Sequence, residues 1–563
     1  MDAERIREQA RREAAAFLRE QNDYRLGYLD AEQSHPLTRD MSGVFERSAE
    51  EGVRLLCRVD QQIARESVRV LQGAGYADFA ATIAHTIASG RRIVFSGCGS
   101  SGRLCMRLER SWRDAALRLA REDPTHAGEW ERTARQVLGL MTGGEYTLIR
   151  AVESFEDYIS LGQAQAKEFA LGEGDLLVGV TATGETASIL GTAIQALEDG
   201  AQAYMLVCSD PEPVRARTER GRRVYSHPRT RFLYLHCGPM ALTGSTRMQS
   251  STFEQAVSGF ALQQALNAEK HKRGLAGEDM DYAAAFVRMA DSVAAPAAVS
   301  LLARCIRQEE QCFRQRGLVT IFADEFMLDV LTDTTELPPT FMLPPYRAKG
   351  EEAHDAPWVF AKNPLAPTRE AWRRCFGREP RCLAWPREKY IALGVPEAAV
   401  RKIPDIDLEA MQYFAIGCEP NPERENAPAS MALWVGRGDA PAAFDRQARA
   451  YAQCGALTLE KAALDIAPTG LCIFEHLAMK LLLNNLSTGA MARLGRISGN
   501  YMTHLNMSNK KLVDRSARII ADLCAVPYEE ALTELFVSWL ATRDDPAANL
   551  SPAHAAIQRL KNR

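Results

Sequence analysis

Between residues 76 and 235, five short apolar runs alternate with stretches that have the spacing of amphipathic helices. The runs have the length and β-branched content of buried parallel strands, and they cover residues 92–95, 137–141, 176–180, 203–207 and 232–235. The stretch 186–197 between two of them places its large apolar side chains on one stripe. This alternation predicts a doubly wound α/β domain, in which ligands bind outside the carboxyl ends of the strands.

A second alternating region follows between residues 317 and 437. Its candidate strands cover residues 318–322, 358–361, 381–385 and 431–435. The two regions are similar in size, which is consistent with an internal duplication. We therefore predict two tandem α/β domains of the flavodoxin-like, parallel-sheet type, with helical segments at both ends of the chain. The predicted boundaries are 1–44 for the N-terminal helices, 45–285 and 286–498 for the two domains, and 499–563 for a C-terminal helical cap.

Composition narrows the class of ligand and the location of the protein. The 68 Lys and Arg residues face 72 Asp and Glu residues, so the net charge of −4 lacks the basic excess expected of a nucleic-acid-binding protein. No stretch of eighteen residues is free of charged side chains, and the first twenty lack the apolar centre of a secretory signal. We therefore expect a cytoplasmic protein without a membrane span. The thirteen Cys are scattered and the ten His isolated, so neither a metal nor another cofactor is expected.

The first candidate site is a glycine-rich loop between the first strand and the helix after it. Residues 95–103 read FSGCGSSGR, in which three glycines allow a tight turn and Ser100 and Ser101 add hydroxyl groups. The start of the next helix offers unpaired N–H groups and a partial positive charge, which suits an anion such as a phosphate. A turn needed only for close packing of helix and strand is the alternative, and the acidic residue typical of a nucleotide-binding loop is missing.

A second hydroxyl-rich loop follows the strand at 176–180. Thr181, Thr183 and Thr186 surround Gly184 at the start of another predicted helix. Alone, this pattern is equally typical of a helix cap. Two such loops at neighbouring strand ends of one sheet are harder to explain by capping, and together they favour a phosphate site.

The two loops resemble those of the SIS domain, a fold that binds and isomerises sugar phosphates. The whole chain is similar to the family of N-acetylmuramic acid 6-phosphate etherase and its double-domain relative, the glucokinase regulatory protein. The resemblance covers residues 34 to 515, although 345 to 430 match poorly. It rests on SHPLTRD at 34–40, SGCGSSGR at 96–103, TGGE at 142–145, SFED at 154–157, TGSTRM at 243–248, LSTGA at 486–490, LGR at 494–496, GN at 499–500 and SNKKL at 508–512.

The resemblance implies a set of residues that contact a phosphosugar. In the family, Glu156 corresponds to an acid that contacts the sugar in the regulator and acts as an acid or base in the etherase, and Lys511 to a lysine that reaches the ligand from the C-terminal part. Without the resemblance, both are ordinary solvated side chains on a helix. The implied phosphosugar-binding residues are Gly99, Ser100, Ser101, Thr181, Thr183, Glu156 and Lys511.

The resemblance also implies that each domain has lost part of an etherase site. The etherase is expected to use a second acid in a stretch downstream of its phosphate loop, and the equivalent position in the first domain is Ser111. The second domain keeps the acidic stretch at 333–341, which contains Glu336. Its loop at 322–327, however, carries Asp324 and Glu325, whose negative charge would repel a phosphate. We therefore expect one phosphosugar site, in the first domain and near the domain interface.

Two classes of function remain. We favour a non-catalytic regulator or sensor of the glucokinase regulatory protein type, which binds fructose 6-phosphate or an amino-sugar 6-phosphate; the resemblance suggests a sugar kinase as its partner. In the alternative, Glu336 reaches across the domain interface to join Glu156 over the sugar, and the protein is a lyase such as an etherase, or an aldose–ketose isomerase.

Overall fold

The computed structural model describes residues 3–21, 24–152, 155–351, 355–505, 507, 509–542 and 551–562. Ser154 and Ser508, which belong to two of the matched motifs, lie outside the described residues. The chain opens with helices, and Ser48 separates the second from the third by accepting a hydrogen bond from the backbone N–H of Glu51 as an N-cap. These helices are α1 (Ala3–Glu20), α2 (Met41–Arg47), α3 (Ala49–Leu71) and α4 (Ala74–Ala88).

The first unit contains a five-stranded sheet in which all strands are parallel. The strands lie in the order β2-β1-β3-β4-β5, and the five predicted strands are confirmed. Strands and helices alternate along the chain as β1 (Ile93–Gly97), α5 (Gly99–Glu122), α6 (Ala127–Thr133), β2 (Val137–Met141), α7 (Ile159–Glu168), β3 (Leu176–Thr181), α8 (Ala187–Glu198), β4 (Gln202–Val207), α9 (Glu212–Arg217), α10 (Glu219–Tyr225) and β5 (Thr230–Tyr234).

Three long helices lead from the first unit to a second, smaller sheet. The helices are α11 (Gln249–Lys272), α12 (Tyr282–Val293) and α13 (Pro296–Arg314). The second unit then comprises β6 (Val319–Phe322), α14 (Met327–Thr334), α15 (Leu337–Phe341), β7 (Val359–Lys362), α16 (Thr368–Phe376), α17 (Arg387–Ala392), α18 (Glu397–Val400), α19 (Leu408–Gln412), α20 (Pro422–Glu425), β8 (Met431–Gly436), α21 (Ala442–Ala448) and β9 (Gln453–Thr458).

The second sheet repeats the topology of the first. Its four parallel strands lie in the order β7-β6-β8-β9, which corresponds to the first four positions of the order in the first unit. This equivalence supports the two tandem domains predicted from the sequence, and β6, β7 and β8 confirm three of the four predicted strands. The fourth, at 381–385, is wrong, and β9 was not predicted.

The segment at 381–385 is not a strand of the second sheet because it packs against the first unit instead. The carbonyl of Arg381 accepts a hydrogen bond of 2.9 Å from the backbone N–H of Glu145. Leu383 lies so close to Gly144 that a β-carbon there would be 3.0 Å from its side chain. Leu383, the buried residue of this segment, therefore packs between the units and not within a sheet.

Helices complete the chain and join the two units. Helix α23 (Ile473–Arg493) is buried over almost its whole length and packs against α3, α11, α13 and α14. The sequence analysis included this helix in the second domain, whereas in the structure it lies between the two units. The last elements are α22 (Leu459–Ala462), α23 (Ile473–Arg493), β10 (Ile497–Ser498), β11 (Tyr501–Met502), α24 (Lys510–Cys524), α25 (Tyr528–Thr542) and α26 (Pro552–Lys561).

No single helix in the described ranges combines the length and the apolar character needed to cross a membrane. The bent pair α12 and α13 meets the two criteria jointly, by length and composition alone.

A cluster of buried charges ties the second unit to the first. Arg378 donates hydrogen bonds to both carboxylate oxygens of Glu109, at 2.8 and 3.0 Å, and to Glu145 at 2.9 Å. Arg381 also pairs with Glu109. Burial alone would raise the pKa of Glu109, but the two guanidinium groups lower it to about 2. Glu109 is therefore held as a carboxylate by arginines from the other unit.

We predict that Arg378→Ala lowers the free energy of unfolding by about 3 kcal/mol, because it removes a buried cation that donates hydrogen bonds to two buried carboxylates. Urea denaturation followed by circular dichroism measures this change. Arg369→Ala is the matched control, since Arg369 is 73% exposed and its pair with Glu379 is 4.0 Å long. Equal unfolding midpoints for both variants would contradict this account of the interface.

Candidate functional site

The glycine-rich loop forms a tight turn between β1 and α5. Strand β1 ends at Gly97 and helix α5 begins at Gly99, so a single residue separates them. A β-carbon on Gly97 would overlap the backbone of Ser101 and Gly102, and Gly99 has a φ of +53°, in the left-handed region. The turn therefore requires glycine, and it brings the start of a 24-residue helix against the end of a strand.

The hydroxyl groups of this loop differ in their partners. The Ser100 side chain is 7% exposed and makes no hydrogen bond to any of the described residues. Ser101 Oγ, by contrast, lies 3.0 Å from the Glu254 carboxylate. Ser100 therefore has its full hydrogen-bonding capacity available to a ligand, whereas Ser101 shares its hydroxyl with Glu254.

The second loop lies beside the first because β1 and β3 are neighbours, with Gly97 opposite Val180. Thr181 and Thr186 share a hydrogen bond of 3.1 Å between their hydroxyls. Thr183 Oγ1 lies 3.5 Å from Glu185 Oε1, a weak contact. The structure thus brings both predicted loops to one edge of one sheet.

Glu156 stands next to the glycine-rich loop. It lies in the short 3-10 helix Phe155–Asp157, and one carboxylate oxygen faces the Cys98 sulfur at 3.7 Å. The other accepts a hydrogen bond of 2.8 Å from Asn509 Nδ2, at the start of α24. This bond holds the acid between the loop and the C-terminal helices.

Lys511, in the first turn of α24, faces the same region. Burial alone would lower its pKa, but the carboxylates of Glu156 and Glu185 outweigh that effect and raise it. Lys511 therefore remains a cation, as the phosphosugar role implied by the resemblance requires.

The helix that carries Lys511 is anchored from the N-terminal segment. Glu32 is buried and pairs with Arg515, at 3.0 Å, and with Arg518, at 2.8 Å. Burial alone would raise the pKa of Glu32, but these two guanidinium groups lower it strongly. The position of Lys511 beside the loop is thus fixed by a buried ion pair.

Glu336 reaches the same loop from the second unit. It lies between α14 and α15, and one of its oxygens would be 3.9 Å from a β-carbon placed on Gly99. Its carboxylate pairs with Arg103, which also donates to Thr335 Oγ1 at 3.1 Å. Two carboxylates, those of Glu156 and Glu336, therefore flank the loop from opposite units.

Ser111 is far from the loop. It lies twelve residues after Gly99 on the same helix, about 18 Å along the axis at 1.5 Å per residue. The second acid next to the loop comes from Glu336 of the other unit instead.

The equivalent loop of the second unit is filled by its own side chains. Asp324 accepts a hydrogen bond of 2.6 Å from Asn363 Nδ2, and Glu325 pairs with Arg437 at 2.8 Å. Phe326 and Met327, which follow, are buried. The two units therefore differ at the position where the first presents hydroxyl groups.

Glu254 was missed by the sequence analysis. It lies on α11 with no exposed surface, and burial raises its pKa to about 8. The one signal in the sequence is that Glu254 is the only charged residue between Arg247 and Glu269. That isolation does not reveal that it faces Ser101.

A cleft of about 590 Å³ lies away from these residues, between β2 and the segment at 380–384. Arg92, Gln165, Arg381 and Leu383 are among its lining residues, and none of the predicted site residues is. In the described part of the chain, no group of three or more His, Cys, Asp or Glu side chains is placed to hold a metal ion.

The comparisons with known proteins agree with the motifs. The family model "Glucokinase regulatory protein N-terminal SIS domain" matches residues 77–197, which include both loops. An N-acetylmuramic acid 6-phosphate etherase from Serratia proteamaculans is 30% identical over 233 residues, covering 41% of this chain and 68% of the relative. The chain belongs to this SIS-domain family.

Other members of the family align over shorter stretches. The etherase of Lactococcus lactis is 32% identical over 168 residues, which are 30% of this chain and 48% of that protein. The etherase of Aliivibrio fischeri is 29% identical over 210 residues, 37% of this chain and 61% of the relative. This chain thus spans about half the length of the Lactococcus lactis relative and somewhat more of the other two.

Solved structures resemble the chain only weakly. Tagatose-6-phosphate ketose/aldose isomerase from Escherichia coli has a TM-score of 0.36 and 10% identity, covering 78% of this chain and 93% of that one. The C-terminal domain of glucosamine-fructose-6-phosphate aminotransferase from Francisella tularensis has a TM-score of 0.37 and 9% identity, covering 78% and 96%.

We predict that Gly97→Ala lowers the thermal unfolding midpoint, because the added methyl group overlaps the backbone of the next turn. Overpacking of this kind costs on the order of 2 kcal/mol, which corresponds to about 4 to 8 °C. Differential scanning calorimetry measures the shift. Gly172→Ala serves as the control, since a β-carbon there meets no atom within 4 Å, and an equal midpoint for the two variants would contradict the described turn.

Proposed function

We propose that this chain binds a sugar phosphate at the two hydroxyl-rich loops of its first unit, within the domain predicted over residues 45–285. The proposal is supported by four residues that lie at the same edge of the first sheet, namely Ser100, Thr183, Glu156 and Lys511. Backbone amides, hydroxyls and an ammonium group suit the phosphate, and a carboxylate suits the sugar hydroxyls. The matched family supports the same class of ligand.

The protein is further proposed to be a regulator or sensor of the glucokinase regulatory protein type. The loop helix carries Arg103, and Arg103 pairs with Glu336 of the second unit. A dianionic phosphate at the loop changes the charge that Arg103 experiences, so occupancy biases the packing of the two units. A partner protein that contacts both units can read that difference, and the family suggests a sugar kinase.

Two ligands are proposed first, fructose 6-phosphate and an amino-sugar 6-phosphate. The curated relatives are named for N-acetylmuramic acid 6-phosphate, which is an amino-sugar phosphate. That compound is therefore one of the amino-sugar phosphates to be tested for binding.

A lyase is the second candidate function, and the position of Glu336 favours it. An etherase of this family needs two acids, and Glu156 and Glu336 both flank the loop. The absence of an acid at Ser111 therefore does not count against catalysis. We rank the regulator first because Glu336 is already paired with Arg103 and would have to leave that contact to act on a ligand.

We predict that Ser101→Ala weakens binding of fructose 6-phosphate about tenfold, the value of one charge-assisted hydrogen bond of about 1.4 kcal/mol. Isothermal titration calorimetry measures the affinity. Asp324→Ala, in the equivalent loop of the second unit, is the control and is expected to change the affinity less than twofold. A large loss in the control would mean that the second unit also holds the phosphate.

Glu336→Gln distinguishes the two functions. The wild-type chain is incubated with N-acetylmuramic acid 6-phosphate, and lactate release is followed together with binding. The regulator predicts binding without product in the wild type and in Glu336→Gln. Lactate release by the wild type that Glu336→Gln abolishes would overturn the regulator and establish the lyase.

A further inference from the structure

The Glu254 carboxyl group lies directly behind the phosphate loop. One of its oxygens is 3.0 Å from Ser101 Oγ, and the other is 3.6 Å from the Cys208 sulfur. The residue has no exposed surface, and no cation pairs with it among the described residues. A buried acid without a counter-ion thus contacts a serine of the glycine-rich loop.

Several titratable groups surround Glu254 from the elements packed against it. They are Cys105 from α5, Cys208 after β4, Cys237 after β5 and Lys480 from α23. Burial raises the pKa of the three thiols, so they stay neutral. Burial lowers the pKa of Lys480 to about 7, and its side-chain nitrogen donates to other oxygens, among them those of Thr252 at 2.7 Å and Asn484 at 2.9 Å.

The charge on Glu254 determines what Ser101 can do. An ionised carboxylate can only accept, so the Ser101 hydroxyl donates its hydrogen to Glu254 and presents only lone pairs to a ligand. A neutral carboxyl group can donate to Ser101 Oγ, and the Ser101 hydrogen is then free to point at a phosphate oxygen. An ionised Glu254 also adds a like charge next to the phosphate dianion.

We propose that Glu254 is a positioning residue that must be protonated for the loop to bind a sugar phosphate. This inference rests on the proposed phosphosugar site and adds to it a dependence on pH. Because the pKa of Glu254 is raised to about 8, the acid is neutral at pH 7 and ionised at pH 9. The fraction of binding-competent protein then falls about tenfold between these values, and the affinity falls with it. Sugar phosphates carry two charges across this range, since their second pKa is about 6.

The test measures the affinity for fructose 6-phosphate, and for inorganic phosphate as a second probe, at pH 7 and pH 9 by calorimetry. The wild type is expected to bind about tenfold more weakly at pH 9. Glu254→Gln cannot ionise and its amide can donate to Ser101, so its affinity is expected to change less than twofold. Glu309→Gln is the matched control, because Glu309 is buried on α13 with its pKa also raised to about 8, and it should retain the tenfold change.

Ser101→Ala provides an independent variant, since it removes the hydroxyl that Glu254 orients and should reduce the pH effect while leaving the acid in place. A tenfold loss at pH 9 that persists in Glu254→Gln would overturn the inference, as would an equal loss of pH dependence in Glu309→Gln. No binding by the wild type at either pH would overturn the proposed function itself, which is a distinct result.

Discussion

The ion pair between Arg103 and Glu336 joins the helix that follows the glycine-rich loop of the first unit to the second unit. Arg103 lies in the first turns of α5 and has 4% of its side chain exposed, so its guanidinium group must find its partners within the protein. It finds Glu336, Thr335 and the carbonyl of Leu148. The loop therefore cannot change shape without altering the contact between the two units, and this constraint underlies the regulatory proposal.

The two units have kept one topology and diverged in their loops. The first combines glycines and hydroxyls in a turn that a β-carbon at Gly97 would block. The second fills the same position with Asp324, Glu325 and buried apolar side chains, each held by its own partners. The second unit still contributes Glu336 to the first site. A duplicated pair in which one unit binds and the other completes the site fits both proposed functions.

The sequence predicted most strands of the two parallel sheets because all of them except β5 and β9 are buried over nearly their whole length, and buried strands have a distinct apolar pattern. It missed β9 (Gln453–Thr458), an edge strand that is only partly buried and contains Gly455. It misplaced a strand at 381–385 because apolar residues buried between units look the same as residues buried in a sheet. Both loops were also predicted from the sequence, because the turn and the helix start in each of them depend on residues that are close together in the chain.

Pairings between distant residues could not be read in the same way. Glu254 and Ser101 are 153 positions apart, and Glu336 and Arg103 are 233 apart. The resemblance to the SIS family suggested that Glu336 could cross the interface, but no local pattern pointed to Glu254. The role of a charged residue whose partner is distant in the sequence can be inferred only once the fold is known.

The most direct test of the central claim is a crystal structure of the chain with fructose 6-phosphate bound. The account predicts the phosphate within hydrogen-bond distance of Ser100 and of the second loop, with the sugar next to Glu156. A phosphate beside residues 322–327 instead, or no ligand at a concentration that saturates binding in solution, would contradict it.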